Sequence, residues 1–113
     1  MIYDINRSSN SIIIYDENHK VVCKLYGDVS IFTVYCLDIK RKLVATQNNS
    51  NESILVWDMD TGFPLYSLPA NDFTFCLAFY PMGNELITGN YEGMIRVWNL
   101  ENKCLKMEKK ICN

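Results

Sequence analysis

The sequence has no basic excess: eleven lysines and arginines stand against thirteen aspartates and glutamates, a formal charge of −2. Proteins that bind nucleic acid on their own draw much of their affinity from phosphate contacts and carry a basic surplus. No direct nucleic-acid partner is therefore expected. Long apolar runs are missing too. The longest, at 11–15 and 73–80, fall far short of the roughly 20 residues that span a bilayer. The amino terminus, Met1-Ile2-Tyr3-Asp4, shows no basic stretch ahead of an apolar core, so no secretory signal is visible. These absences lead to the expectation of a soluble chain in an intracellular setting, cytoplasmic or nuclear, with no membrane partner.

Metal- and disulfide-forming side chains are also sparse. There is a single histidine, His19, and the five cysteines (23, 36, 76, 104 and 112) are odd in number with no C-x-x-C pair. A secreted disulfide framework favours an even, clustered set, and zinc sites need paired ligands. The cysteines are read as reduced, small apolar residues, with no metal and no cofactor expected. The sequons that begin at Asn6, Asn48 and Asn51 are read as by-products of a chain rich in Asn and Ser.

What the chain does have is repetition. The runs Ile12-Ile13-Ile14-Tyr15-Asp16, Ile54-Leu55-Val56-Trp57-Asp58 and Met94-Ile95-Arg96-Val97-Trp98-Asn99 all close on an aromatic residue followed by Asp or Asn. The aromatics stand 42 and then 41 residues apart. Between them the alternation and turn residues predict short strands. In the second unit these are Ile31 to Ile39, Leu43 to Thr46, Ser53 to Trp57 and Pro64 to Leu68. In the third they are Phe73 to Tyr80, Glu85 to Thr88, Met94 to Trp98 and Cys104 to Met107. The first sixteen residues align with the second unit without a gap, Met1 on Leu43 and Tyr15 on Trp57. The sequence thus predicts three strands, then four, then four, with the innermost strand of the first unit missing.

A period of about 40–45 residues with four strands per unit resembles the WD-repeat β-propeller family. The third unit carries the resemblance furthest. Residues 79–99, from Phe79-Tyr80-Pro81-Met82-Gly83-Asn84 to Arg96-Val97-Trp98-Asn99, are similar without a gap to the family run F-S-P-D-G-x-x-L-x-S-G-S-x-D-G-x-I-R-V-W-D. The resemblance implies an all-β partial propeller, an open arc of four-stranded antiparallel blades. The blades are read as 1–28 (incomplete), 29–70 and 71–113. Four blades need roughly 165 residues at this period, so the chain is read as a segment of a larger propeller.

The family often carries Gly-His near the start of each unit, where the histidine joins a buried set with a Ser or Thr, the third-strand Trp and a turn Asp. Here Gly27-Asp28 and Asn71-Asp72 occupy that region, which leaves at best a partial set of Thr88, Trp98 and Glu92. Tyr15, Trp57, Asp58, Thr88, Trp98 and Asn99 are assigned structural roles. Function in such folds lies in the loops that rigid blades present. By resemblance, the loops Asp28 to Ser30, Asn48 to Glu52, Pro69 to Asp72 and Asn90 to Gly93 gather on one face, which makes Asp28, Asn71, Asp72, Tyr91 and Glu92 the candidate contacts for protein partners. Tyr91 stands out as an aromatic in a polar turn; a ring packed over Pro69 is the alternative.

One catalytic motif competes. Asp60-Thr61-Gly62 after an apolar strand resembles a small retroviral-type aspartic protease subunit, in which paired aspartates share a proton and activate water. The corresponding slots hold Asp16-Glu17-Asn18-His19 and Asn99-Leu100-Glu101-Asn102. A turn common to all three units accounts for each of them, so the expectation is a non-catalytic protein-interaction scaffold, a subunit of a multiprotein complex. The lysines of the 103–110 tail alternate with Leu105 and Met107, as in a solvated outer strand.

Overall fold

The structure is a computed structural model and describes residues 4–7, 11–26, 32–48, 53–69, 74–90 and 92–111. These residues form eleven strands: β1 Asp4–Arg7, β2 Ser11–Tyr15, β3 Val21–Tyr26, β4 Phe32–Asp38, β5 Leu43–Asn48, β6 Ile54–Asp58, β7 Pro64–Leu68, β8 Thr74–Tyr80, β9 Glu85–Asn90, β10 Met94–Asn99 and β11 Cys104–Lys110. They make three antiparallel meanders, one three-stranded (β1-β2-β3) and two four-stranded (β4-β5-β6-β7 and β8-β9-β10-β11). The fold is all-β, and its four-stranded sheets are β-propeller blades in construction. Among the described residues no helix is long and apolar enough to cross a membrane.

The sheets stack in series because side chains alternate between the two faces of a strand and the second sheet carries apolar residues on both. One core joins the first sheet to the second: Ile14, Cys23 and Leu25 pack against Val44, Trp57 and Met59. A second joins the second sheet to the third: Ala45, Ile54, Val56 and Leu68 pack against Leu86, Trp98 and Leu100. On β6, Leu55 and Trp57 therefore look back to the first sheet, and Ile54 and Val56 look forward to the third. Both tryptophans lie between sheets, 1% and 2% exposed.

Two polar ties fasten the second sheet to the third at opposite ends of the inner strands. At one end the Gln47 side-chain oxygen, fully buried, accepts a 2.5 Å bond from the Thr74 backbone N–H. At the other, Arg41 Nη1 donates both to Asp38 Oδ2 and to the Tyr80 carbonyl, each at 3.2 Å.

β5 runs through Asn48, past the Thr46 end expected from sequence; Gln47 and Asn48 pair with β4, and Gln47 with β6, rather than opening the loop. The third-to-fourth strand pairs share a further irregularity. The register shifts between Ile14 and Tyr15, between Val56 and Trp57, and between Val97 and Trp98. Each time the outer strand carries one extra residue just before the aromatic, namely Val22, Leu65 and Lys106. Such β-bulges bend the strand and increase its twist.

Trp98→Ala removes a ring from the junction between second and third sheets and should cost about 3–5 kcal/mol, as large core truncations do. Met82→Ala, at a side chain 83% exposed, should change stability by less than about 0.5 kcal/mol. Urea unfolding followed by tryptophan fluorescence measures both, and equal effects would contradict this packing.

Candidate functional site

The candidate site is built on three nearly identical hairpin turns and two Trp–Thr pairs. At the strand-three exit of each sheet an Asx side chain folds back on the turn. Asp16 Oδ1 accepts from the backbone N–H of Asn18 and Lys20 at 2.8 and 3.0 Å. Asp58 Oδ1 accepts from Asp60 at 2.9 Å. Asn99 Oδ1 accepts from Glu101 and Asn102, both at 2.9 Å. Asx side chains favour such turns because a short carboxylate or amide reaches the backbone two to four residues on. His19, Gly62 and Lys103 supply the left-handed residue, with φ of 63°, 80° and 58°. His19 is exposed in its turn.

Asp60-Thr61-Gly62 is the β6–β7 version of this turn. Asp60 is exposed and lies 3.7 Å from Lys42 Nζ. The Thr61 hydroxyl accepts from the Phe63 N–H at 3.3 Å, and the Gly62 N–H donates to the Asp58 carbonyl at 2.7 Å. The backbone of the turn thus engages the threonine and the glycine, and the aspartate has a lysine neighbour.

Inside the sheets the indole N–H of Trp57 donates to Thr46 Oγ1 at 2.9 Å, and that of Trp98 donates to Thr88 Oγ1 at 3.1 Å. Both bonds are buried, where an unpaired indole donor would be costly. Glu92 takes no part in the Trp98–Thr88 pair. It is exposed, and its backbone N–H donates to Asn90 Oδ1 at 3.0 Å, so the partial set expected from sequence shrinks to two residues. The reason is local: Asn90, 3% exposed, turns its side chain to hold the hairpin, accepting also from the Met94 N–H at 3.0 Å. Gly93 completes the turn at φ 80°. Tyr15 is half-buried at the end of β2.

Of the candidate contacts, Asp28, Asn71, Asp72 and Tyr91 lie outside the described residues; Glu92 alone is placed, in the Asn90-anchored turn between β9 and β10. Sequence reasoning missed Thr46, Gln47 and Asn90 as individual anchors. Thr46 could have been found, since it precedes Trp57 by eleven residues much as Thr88 precedes Trp98 by ten. Among the described residues no three His, Cys, Asp or Glu side chains gather as a metal site. A shallow cleft between the outer strands of the second and third sheets is lined by Pro69, Arg96, Trp98, Leu105 and Glu108, with an Arg96–Glu108 ion pair (3.3 Å) in its wall.

The described cysteines are free thiols. Burial pushes Cys23 up to about 11 and Cys36 up to about 12, the latter against two opposing backbone hydrogen bonds. Cys76 and Cys104 are exposed.

No family model matches the chain. Over 58 residues, 51% of the chain, it is 36% identical to the small ribosomal subunit protein RACK1 of Brassica napus and to the small ribosomal subunit protein RACK1z of Arabidopsis thaliana. RACK1 is a WD-repeat protein. The matched stretch spans 17% of each relative's length. The similarity supports the WD-repeat character of the chain and agrees with its blade-like sheets.

The thiolate is the reactive form of cysteine. At pH 8, a maleimide or disulfide reagent with peptide mapping should label Cys76 and Cys104 quickly, and Cys23 and Cys36 only on unfolding. The buried thiols ionise less readily in the folded chain than in the unfolded one, so the folded state holds the extra protons. Their contribution to stability is complete below pH 9 and is lost as pH rises toward 11–12. Urea midpoints that fell between pH 6 and 8 in step with labelling of Cys36 would contradict its burial.

A separate expectation concerns the turn. Asn90→Ala removes two backbone bonds from the β9–β10 hairpin and should cost about 1–2 kcal/mol. Chemical denaturation against Glu92→Ala, expected within about 0.5 kcal/mol of the parent, tests it.

Proposed function

We propose that the chain is a non-catalytic protein-interaction platform built from WD-type repeats, divided into units 1–28, 29–70 and 71–113 and serving within a larger propeller. The observation that carries this is the recurrence of one structural unit in successive sheets. Trp57–Thr46 and Trp98–Thr88 occupy equivalent places, and Asp16, Asp58 and Asn99 cap equivalent turns. Of the Asp60-Thr61-Gly62 motif, Thr61 and Gly62 hold the turn backbone and Asp60 lies beside Lys42. A rigid repeat of this kind presents variable turns at its ends, where partners bind.

The strand ends that flank 28–30, 48–52, 69–72 and 90–93 (Tyr26 and Phe32, Asn48 and Ile54, Leu68 and Thr74, Asn90 and Met94) lie at the same end of their meanders, because each antiparallel hairpin returns the chain to it. Asp28, Asn71, Asp72, Tyr91 and Glu92 are proposed as the contact set, with Tyr91 as the anchor. Short polar turns with one aromatic suit a protein surface with complementary hydrogen bonds. The similarity to relatives named as small ribosomal subunit proteins favours partners within a multisubunit intracellular assembly.

Replacing Tyr91 and Glu92 by alanine should weaken partner capture at least about tenfold while leaving the fold intact. Met82→Ala, at the opposite end of the sheet, should leave capture unchanged. Affinity purification with chemical crosslinking and quantitative mass spectrometry compares the three. Loss of capture with Met82→Ala and retention with the Tyr91 and Glu92 changes would move the contact surface to the other end. The aspartic protease reading has its own test: no peptidolysis is expected at acidic pH, and cleavage abolished by Asp60→Asn would overturn the scaffold reading.

A further inference from the structure

We propose that the cleft between the outer strands of the second and third sheets takes up an acidic segment of a protein partner, seating one large apolar side chain between flanking carboxylates. This surface is separate from the turns that carry Tyr91 and Glu92. Both walls of the cleft belong to the second and third sheets, and it lies at their rim, so a further sheet stacked beyond either one leaves it open.

Register builds the wall on the third sheet. Trp98 pairs with Leu105 and Arg96 with Glu108, and side chains alternate between the two faces of a strand. Trp98 packs toward the second sheet, so Arg96, Leu105 and Glu108 look the same way. Leu105 and Glu108 are three residues apart and share that face only because Lys106 is the extra residue of the bulge. Pro69, just past the end of β7, closes the cleft from the second sheet. Two residues before Leu105, Lys103 holds its ammonium 5.0 Å from the centre of the Tyr66 ring and so bridges the same pair of sheets.

Size selects the occupant. The cavity measures about 160 Å³. Small-molecule sites begin at roughly 300 Å³, whereas a cavity of about 150 Å³ holds one benzene-sized group. The cleft therefore fits a side chain, not a cofactor. Its lining of Pro69, Trp98 and Leu105, the last 41% exposed, favours an aliphatic or aromatic one.

Charge selects what flanks that side chain. Residues 94–110 hold five basic side chains (Arg96, Lys103, Lys106, Lys109 and Lys110) against two acidic ones, Glu101 and Glu108. This one hairpin carries +3 in a chain of −2, so the remaining residues carry −5. Arg96 neutralises Glu108 in the cleft wall at 3.3 Å, and Lys106 pairs with Glu85. Lys103 and Lys110 remain exposed near the cleft, Lys110 on the Glu108 face because it pairs with Met94. An apolar anchor in a pocket with opposite charges around it is how interfaces combine affinity with orientation.

The test titrates the full 113-residue chain, followed by amide chemical shifts, with a synthetic peptide holding one leucine between runs of aspartate. Shifts should concentrate at 103–110 and at the Trp98 indole N–H, with a dissociation constant of about 300 μM or tighter. Glycine in place of the leucine, or lysines in place of the aspartates, should each weaken binding at least about tenfold. Leu105→Gln should do the same on the protein side, and Lys103→Gln combined with Lys110→Gln should weaken it at least about threefold. Met107→Gln, on the opposite face of β11, should bind like the parent. Circular dichroism confirms that each variant is folded, and the double lysine change, at exposed side chains, decides the matter if Leu105→Gln is not.

Absence of binding, shifts centred on Asn90 and Glu92 instead, or equal weakening by Leu105→Gln and Met107→Gln would each overturn the proposal. So would an oligouridylate that moves the 103–110 amides more strongly than the aspartate peptide does, since the site would then select phosphate.

Discussion

Everything in this molecule depends on the burial of both faces of a twisted sheet. A single meander of short strands cannot cover itself, and its neighbour must supply the missing apolar surface. The second sheet satisfies that demand twice, with Val44 and Trp57 turned one way and Ala45, Ile54 and Val56 the other. The rest follows from it. The tryptophans can be buried only because Thr46 and Thr88 receive their indole protons, and the stack holds its alignment because Gln47 and Arg41 tie the second and third sheets at both ends.

The same constraint separates core-facing residues from those in the turns. Residues that face a neighbouring sheet are fixed by volume and polarity, while those in the connecting turns need only satisfy local backbone geometry. Asp16, Asp58 and Asn99 do so through their own side chains, and Asn90 does so in the β9–β10 turn. Once the turn backbone is held by one buried or half-buried Asx residue, its tip is released from structural duty and is free to vary.

Much of the architecture was legible in the sequence. Aromatic residues at 15, 57 and 98 fixed the period, and the order of three, four and four strands followed from alternation and turn residues. The site was less so. Thr46 looked like an ordinary strand residue because a Trp–Thr bond depends on register, which alternation alone does not report. Gln47 and Asn48 looked like loop because polar side chains normally face solvent, whereas Gln47 spends its amide on the next sheet. Glu92 fitted the family's turn-Asp position by spacing, yet Asn90 reached the turn backbone first. The bulges at Val22, Leu65 and Lys106 left no trace at all, since an extra residue opposite a regular strand has no compositional signature.

The meandering order of the strands has a kinetic side. Among the described residues every backbone ladder joins a strand to the one before or after it in the chain, so the ladders close short loops and require little entropy to start. All-β domains are commonly slow to fold because their pairings span the sequence. In this chain the hairpins can each form locally, on a scale of about 1–10 μs, and the slow event is the meeting of finished sheets. Its pace is then governed by how quickly Trp57 and Trp98 shed water against the sheets before them.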